Sequence, residues 1–218
     1  MKNNLQHISD ETIQRYTKRY KKLGHNIKTL GWGTKEQQKY RFFITLDETI
    51  NFSDKSILDI GCGFGDYFDF LKSNNTGFSK YIGFDINENL INEAKKLYSS
   101  KKSTFTVINI LESNKKNIAD IGIMLGLLNF NLKDTFDNYE YSKQMISKAF
   151  NLVNEVLVVD FLSTNLTSDY PKEDFVFYHD PLEILKFALS LSSNVVIKHN
   201  YAPIPQKEFM LFIYKDKN

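Results

Sequence analysis

The chain has 218 residues, 42% of them hydrophobic and 25% charged, with 28 Lys and Arg against 26 Asp and Glu. That length suits one well-buried domain and is short for two, and the composition is too apolar for a disordered chain. A net charge of +2 gives no strong pull toward nucleic acid or an anionic membrane.

The longest apolar stretch, Ile121 to Leu128, is eight residues, far below the roughly 20 needed to span a bilayer. The N-terminal MKNNLQHISDET has no apolar region of the signal-peptide kind. One cysteine, Cys62, excludes an internal disulfide and fits a reducing compartment, so a cytoplasmic protein is expected. Four scattered histidines beside that lone cysteine show no metal-ligand spacing, and no metal is expected.

Residues 1 to 50 read as helical. Ser9 is placed to cap a helix whose apolar positions, Ile13, Tyr16, Tyr20 and Leu23, recur at three or four, and Gly24 is placed to end it. The loop Gly31-Trp32-Gly33 leads to Thr34, with Gln37 three residues on, which is a capping box; Tyr40, Phe43, Ile44 and Ile50 continue the apolar stripe. Two such helices hold too little core to stand alone and are expected to pack on the main domain.

From Ser56 the pattern alternates. Strands are predicted at about 56–60, 80–84, 104–110, 119–125, 156–161, 194–200 and 208–214. Helices are predicted at about 65–73, from Asn87, from about 138, and after Asp180, where Pro181 and Glu183 mark a helix start. The stretch 163–179 is the least regular and is expected to be a loop near a ligand mouth. Only a short link with Pro203 and Pro205 separates the last two strands. Parallel strands need a crossover of about a dozen residues or more, so these two must pair antiparallel.

The stretch from Ser56 to Asp85 organises the rest, as strand, tight turn and helix. Gly61 and Gly63 can take positive φ and keep no Cβ between backbone and ligand, while a helix starting near Gly65 points free N–H groups at the same place. The next strand ends at Asp85, where a carboxylate can accept hydrogen bonds from both hydroxyls of a ribose. The dinucleotide fingerprint G-x-G-x-x-G requires glycine at 66, and the residue there is Asp66. What stands instead is D-x-G-x-G-x-G, from Asp59 through Gly65. With Asp85 after the next strand, that string resembles the S-adenosylmethionine site of class I methyltransferases.

The resemblance covers about residues 55 to 214 and implies an α/β fold. This is a three-layer α-β-α sandwich around a mostly parallel seven-stranded sheet of order 3-2-1-4-5-7-6, the last strand antiparallel. It implies a single methyltransferase domain over 1–218, with 55–214 as catalytic core and 1–50 as a helical extension able to act as a lid. The implied cofactor is S-adenosyl-L-methionine. In the family pattern Asp59, Gly61, Cys62, Gly63 and Gly65 hold the methionyl part, Asp85 the ribose, and Ile86 flanks the adenine, whose edge is read from Asn109 and Ile110. Gly126 to Asn129 follow strand four, where the family's backbone meets cofactor and acceptor. Asn109 reads equally as a turn residue, and Asn129 more readily as a cap or turn than as an acceptor ligand.

Adenine- and cytosine-N-methylating relatives carry [DN]-P-P-[YFW] after strand four. This chain has LGLLNF there, which argues against base N-methylation by that route. The string LGWGTKEQQKYRF, Leu30 to Phe42, looks like the leader of a group of small bacterial methyltransferases. In that setting Arg41 would fork to the cofactor carboxylate and Trp32 would cover the site, the plainer readings being a solvated charge and a packing residue. His179, and after it His199, are the candidate general bases. The expected function is methyl transfer to a small molecule, at oxygen. Alternatives are a tRNA or protein methyltransferase, and a methyltransferase-like binding module without turnover; the charge balance does not favour nucleic acid.

Overall fold

The computed structural model describes residues 2–168, 171–202 and 207–216. Seven strands, β1 (Ser56–Ile60), β2 (Lys80–Asp85), β3 (Ser103–Val107), β4 (Ala119–Met124), β5 (Val153–Leu162), β6 (Val195–Lys198) and β7 (Glu208–Tyr214), form a sheet of order β3-β2-β1-β4-β5-β7-β6. Helices flank it, and β7 runs antiparallel to both β5 and β6. This is the sheet the sequence predicts. Pro203 and Pro205, the link on which the expected reversal rests, lie outside the described residues.

The chain divides into two compact units, residues 1–113 and 114–218. The first holds α1 (Lys2–Leu23), α2 (Lys35–Thr45), α3 (Asp66–Ser73) and α4 (Glu88–Tyr98) with the parallel strands β1 to β3. The helical extension therefore belongs to the same unit as the first three strands. Gly24 takes positive φ and donates its N–H to Tyr20 O at 2.8 Å, ending α1 where glycine is needed. The capping box of α2 forms in full: Gln37 N–H donates to Thr34 Oγ1 at 3.2 Å, and Thr34 N–H to Gln37 Oε1 at 3.1 Å.

Ser9 does not cap a helix. Because α1 starts at Lys2, Ser9 lies inside the helix and its hydroxyl turns back to Leu5 O at 3.1 Å instead of capping. The third strand also ends earlier than its apolar pattern suggests, at Val107, and the chain enters a short 3-10 turn at Ile110–Glu112.

The core of the first unit is aromatic. Phe68 packs against Tyr81, Phe78, Tyr98 and Phe105, while Phe42 of α2 meets Tyr67 and Phe70 of α3. The second unit holds α5 (Asn138–Asn151), α6 (Pro181–Leu189) and β4 to β7, and its central strands are buried almost end to end, as sheet strands covered on both faces must be. Asp180 caps α6 by accepting from Leu182 N–H at 2.8 Å, with Pro181 in the first turn. Among the described residues no helix is long and apolar enough to cross a membrane.

Candidate active site

At the carboxyl end of β1 the chain turns through Gly61, Gly63 and Gly65, all at positive φ. The N–H groups of Gly61 and Cys62 both donate to Phe84 O, at 2.7 and 2.9 Å, so the turn is tied to the end of β2. The glycines have different reasons to be glycine. A Cβ on Gly65 would meet Tyr98 and Phe105 at 3.0 and 3.1 Å, which makes Gly65 a packing position between α3 and the sheet. A Cβ on Gly63 would meet only the Leu30 side chain, at 2.9 Å. Gly63 thus presents bare backbone on the side that the N-terminal segment covers.

Asp85 faces this turn. Its Oδ2 accepts from Gly63 N–H at 3.0 Å and its Oδ1 from Asn87 N–H at 2.8 Å. A carboxylate has about four acceptor sites, so one backbone N–H on each oxygen fixes the rotamer and leaves capacity for a diol. Burial pushes the Asp85 carboxyl upward, and the backbone N–H groups of Asn87, Gly63 and Ile86 pull it back down. Asp59, on the buried side of the loop, is 5% exposed and accepts from the Tyr81 hydroxyl. Burial raises its carboxyl to about 7, against the Tyr81 bond and with smaller contributions from Asp85 and Asp66. Cys62 is buried beneath the loop, and desolvation raises its thiol well above the ordinary value.

Asp66 opens α3, and its Oδ2 accepts from Gln38 Nε2 at 2.9 Å. Three carboxyl groups around one glycine turn repel a pyrophosphate, and a cationic or neutral ligand with a diol is the better match. The missing glycine at 66 and the local charge point the same way.

Ile86 is half-buried beside Asp85, and Ile110 is buried in the turn after β3. Asn109 acts as the cap of that turn: its Oδ1 accepts from Leu111 N–H at 3.1 Å, and its Nδ2 donates to Glu112 Oε1 at 2.9 Å and Ser9 Oγ at 3.2 Å. Trp32 and Arg41 come together, the guanidinium lying 4.9 Å from the centre of the indole. Arg41 is 6% exposed and donates to Gln37 O at 3.1 Å, so it is no solvated surface charge. It lies three residues on from Gln38, on the face of α2 that reaches Asp66.

Phe64 and His25, which the sequence does not single out, complete this corner together with Tyr16 and Tyr20 of the α1 stripe. Phe64, wholly buried, is covered by His25 and Tyr20 at ring distances of 4.2 and 6.1 Å. Tyr16 lies within electrostatic reach of Asp85, its phenol raised by burial first. The sequence marks Asn87 only as a helix start. A separate groove of about 650 Å3 lies at the amino ends of β2 and β3, lined by Leu97, Tyr98 and Lys102 among others. It is at the wrong end of the strands for the glycine turn.

The second unit holds the remaining candidates. Gly126, at positive φ, donates its N–H to Asp160 Oδ1 at 2.6 Å. Asn129 is a staple: its Oδ1 accepts from Leu162 N–H at 2.9 Å and its carbonyl from Phe177 N–H at 3.1 Å, joining the loop after β4 to the end of β5 and to the irregular segment.

His179 as a general base is corrected by its surroundings. It is 0% exposed, with Tyr139, Phe161 and Phe177 against its ring at 4.8 to 5.7 Å and Nε2 2.9 Å from Ser142 Oγ. Burial pushes its pKa down to about 3. A ring closed in on all sides cannot reach a substrate. The signal that could have shown this is the aromatic run Phe175 to Tyr178, which makes the segment a packed strap. His199 is half-buried, 3.0 Å from Ser163 Oγ, and its pKa is lowered by burial and by Lys207.

A methyltransferase-domain family model matches residues 51–169. No curated protein matches the sequence. Among solved structures, magnesium protoporphyrin IX methyltransferase from Synechocystis PCC 6803 with bound SAH superposes with a TM-score of 0.64 at 17% identity, covering 98% of this chain and 100% of that one. A DhpI–SAH complex gives 0.62 at 11% identity, over 96% and 98% of the two chains. The small RNA methyltransferase HEN1 gives 0.60 at 19% identity over 83% of this chain but 25% of its own. With more than half of its length under the family model, and with the expected strand order around an acid-flanked glycine turn, the chain belongs to the class I S-adenosylmethionine-dependent methyltransferases.

Proposed function

We propose that the chain methylates a small molecule at oxygen, in the cytoplasm, with S-adenosyl-L-methionine held at the corner formed by the glycine turn and Asp85. The observation that carries this reading is the carboxylate of Asp85, fixed by one backbone N–H on each oxygen beside the bare backbone of Gly63. These residues fit the cofactor: the outer acceptor sites of Asp85 match a ribose diol, Ile86 and Ile110 offer apolar cover, and the acidic surroundings suit a sulfonium. When bound, the cofactor supplies an activated methyl group.

The protein's task in such a reaction is positioning and exclusion of water. The described residues of the first unit suit that task, with α1 and the Leu30–Trp32 loop packed over the corner. Deprotonation is assigned to neither His179 nor His199. An acceptor oxygen already ionised at neutral pH, as in a carboxylate or an acidic enol, needs no base.

Two observations favour a small acceptor. The net charge is +2, too little for a nucleic-acid footprint. The porphyrin methyltransferase matches along its whole length, whereas the RNA methyltransferase matches over a quarter of its own. The test is incubation with methyl-labelled cofactor and three separated fractions of a cell extract: metabolites, tRNA and protein. Label in a base-labile product of the metabolite fraction is the expected result. Label confined to tRNA or protein would replace this reading with a macromolecular one. Cofactor binding by calorimetry with no label in any fraction would make the chain a binding module.

A further inference from the structure

Helix α1 is fastened across the ends of β2 and β3 by side-chain hydrogen bonds. Near its start, Ser9 Oγ accepts from Asn109 Nδ2 after β3. One and two turns on, Ile13 O and Thr17 Oγ1 accept from Asn87 Nδ2 after β2, at 3.1 and 3.0 Å. Thr17 Oγ1 also lies 3.3 Å from Asn89 Nδ2, and Tyr20 donates to Glu93 of α4 at 2.9 Å.

Asn87 is the junction. It is 0% exposed, and every polar group it has is committed. Its N–H donates to Asp85 Oδ1. Its Oδ1 caps α4 by accepting from Asn89 and Leu90 N–H at 3.0 and 3.4 Å. Its Nδ2 holds α1. One residue therefore joins the carboxylate, the following helix and the overlying helix.

We propose that Asn87 and Thr17 form a latch through which a ligand on Asp85 holds α1 closed, so that cofactor retention depends on a hydrogen bond to a helix that need not touch the cofactor. This rests on the reading of Asp85 as the ribose acceptor. A diol bound to the outer acceptor sites of Asp85 adds to the hold of the Gly63 and Asn87 N–H groups on its carboxylate, and so steadies the backbone of Asn87. The Nδ2 donor is then held where Ile13 and Thr17 need it. By linkage, whatever the ligand contributes to closing α1, closed α1 returns as slower ligand loss. Asn87 and Thr17 are positioning residues in this account.

Asn87 is a poor residue to replace, since its loss also uncaps α4. Thr17→Val leaves the cap of α4 and the Ile13 O acceptor in place and removes the hydroxyl that accepts from Asn87 and Asn89, and Thr17→Ser restores it. The experiment follows hydrogen exchange of the amides of residues 5–20, with and without S-adenosylhomocysteine, and the dissociation rate of that compound. The wild-type and Thr17→Ser proteins should show slowed exchange over this span on binding. In Thr17→Val the slowing should shrink and dissociation should be about tenfold faster, as for one coupled hydrogen bond. Equal protection and equal dissociation in Thr17→Val and wild type overturn the latch. A uniform rise in exchange that is the same with and without ligand also overturns it, because α1 would then be merely less stable. An Asp85→Ala control separates the two levels. If it leaves affinity unchanged, the ribose assignment fails; if it weakens binding while Thr17→Val behaves as wild type, only the latch fails.

Discussion

Around the glycine turn in residues 1–113, polar groups gather on a carboxylate that keeps acceptor capacity for a ligand. Around Asn129 in residues 114–218, polar groups of the same kinds are spent on the chain itself. Asp85 takes two backbone N–H groups and remains half-buried at the loop. Asn129 takes one backbone N–H with its side chain and one with its carbonyl, and thereby ties three segments together. His179 is closed inside an aromatic cage. A polar residue at a strand end is a binding candidate only after its local hydrogen-bond obligations have been counted.

The contrast can be broken by substitution. Gly63→Val should have the largest effect: a branched side chain at φ +54 against Leu30 fills the bare face of the turn. Cofactor affinity should fall at least a hundredfold, about 2.8 kcal/mol, with the folded circular-dichroism spectrum retained. Normal binding would remove the loop from the site. Asp85→Ala comes next, with at least a tenfold loss by calorimetry, since hydrogen bonds to a charged group are worth about 1.5 to 3 kcal/mol. Asn129→Ala should behave oppositely to both. Leaving Leu162 N–H without its partner should cost about 1 to 3 kcal/mol of stability, a drop of several degrees in Tm, with cofactor affinity unchanged. If affinity fell while Tm held, the contrast between the two regions would be wrong.

The smallest effects concern pH, and the two regions should respond with opposite sign. The Asp59 carboxyl is raised from 3.8 to about 7. Its contribution to stability is complete below the unfolded value and is lost as pH rises through about 7. Asp59→Asn should therefore raise Tm at pH 8, by about 2 to 4 °C for each kcal/mol recovered, and give no gain at pH 4. The His179 imidazole is lowered from 6.5 to about 3. Its contribution is present above 6.5 and lost as pH falls toward 3. His179→Gln should flatten that acid limb of the Tm profile and leave the limb near pH 7 in place.

The same contrast separates what could be read from the sequence from what could not. The glycine turn from Asp59 to Gly65 and the place of Asp85 at the end of the next strand were legible because both are set by local spacing. The capping box at Thr34 and the stop at Gly24 were legible for the same reason. Ser9 does not read as an interior helix residue because α1 begins nearly two turns before it, and one of its two partners, Asn109, stands 100 residues away. Asn87 and Thr17 are 70 residues apart, and nothing in either neighbourhood announces the other. His179 looked available because it precedes a helix; the rings that enclose it come from α5, β5 and the strap, and only the folded chain assembles them.

Cys62 gives the molecule a built-in clock. The thiol is 6% exposed, its ionisation is suppressed by burial, and it is the chain's single cysteine. An alkylating reagent should modify the protein once, and only at the rate at which the loop beneath α1 opens. The reaction rate at that sulfur therefore reads out breathing of the corner directly, with no engineered probe.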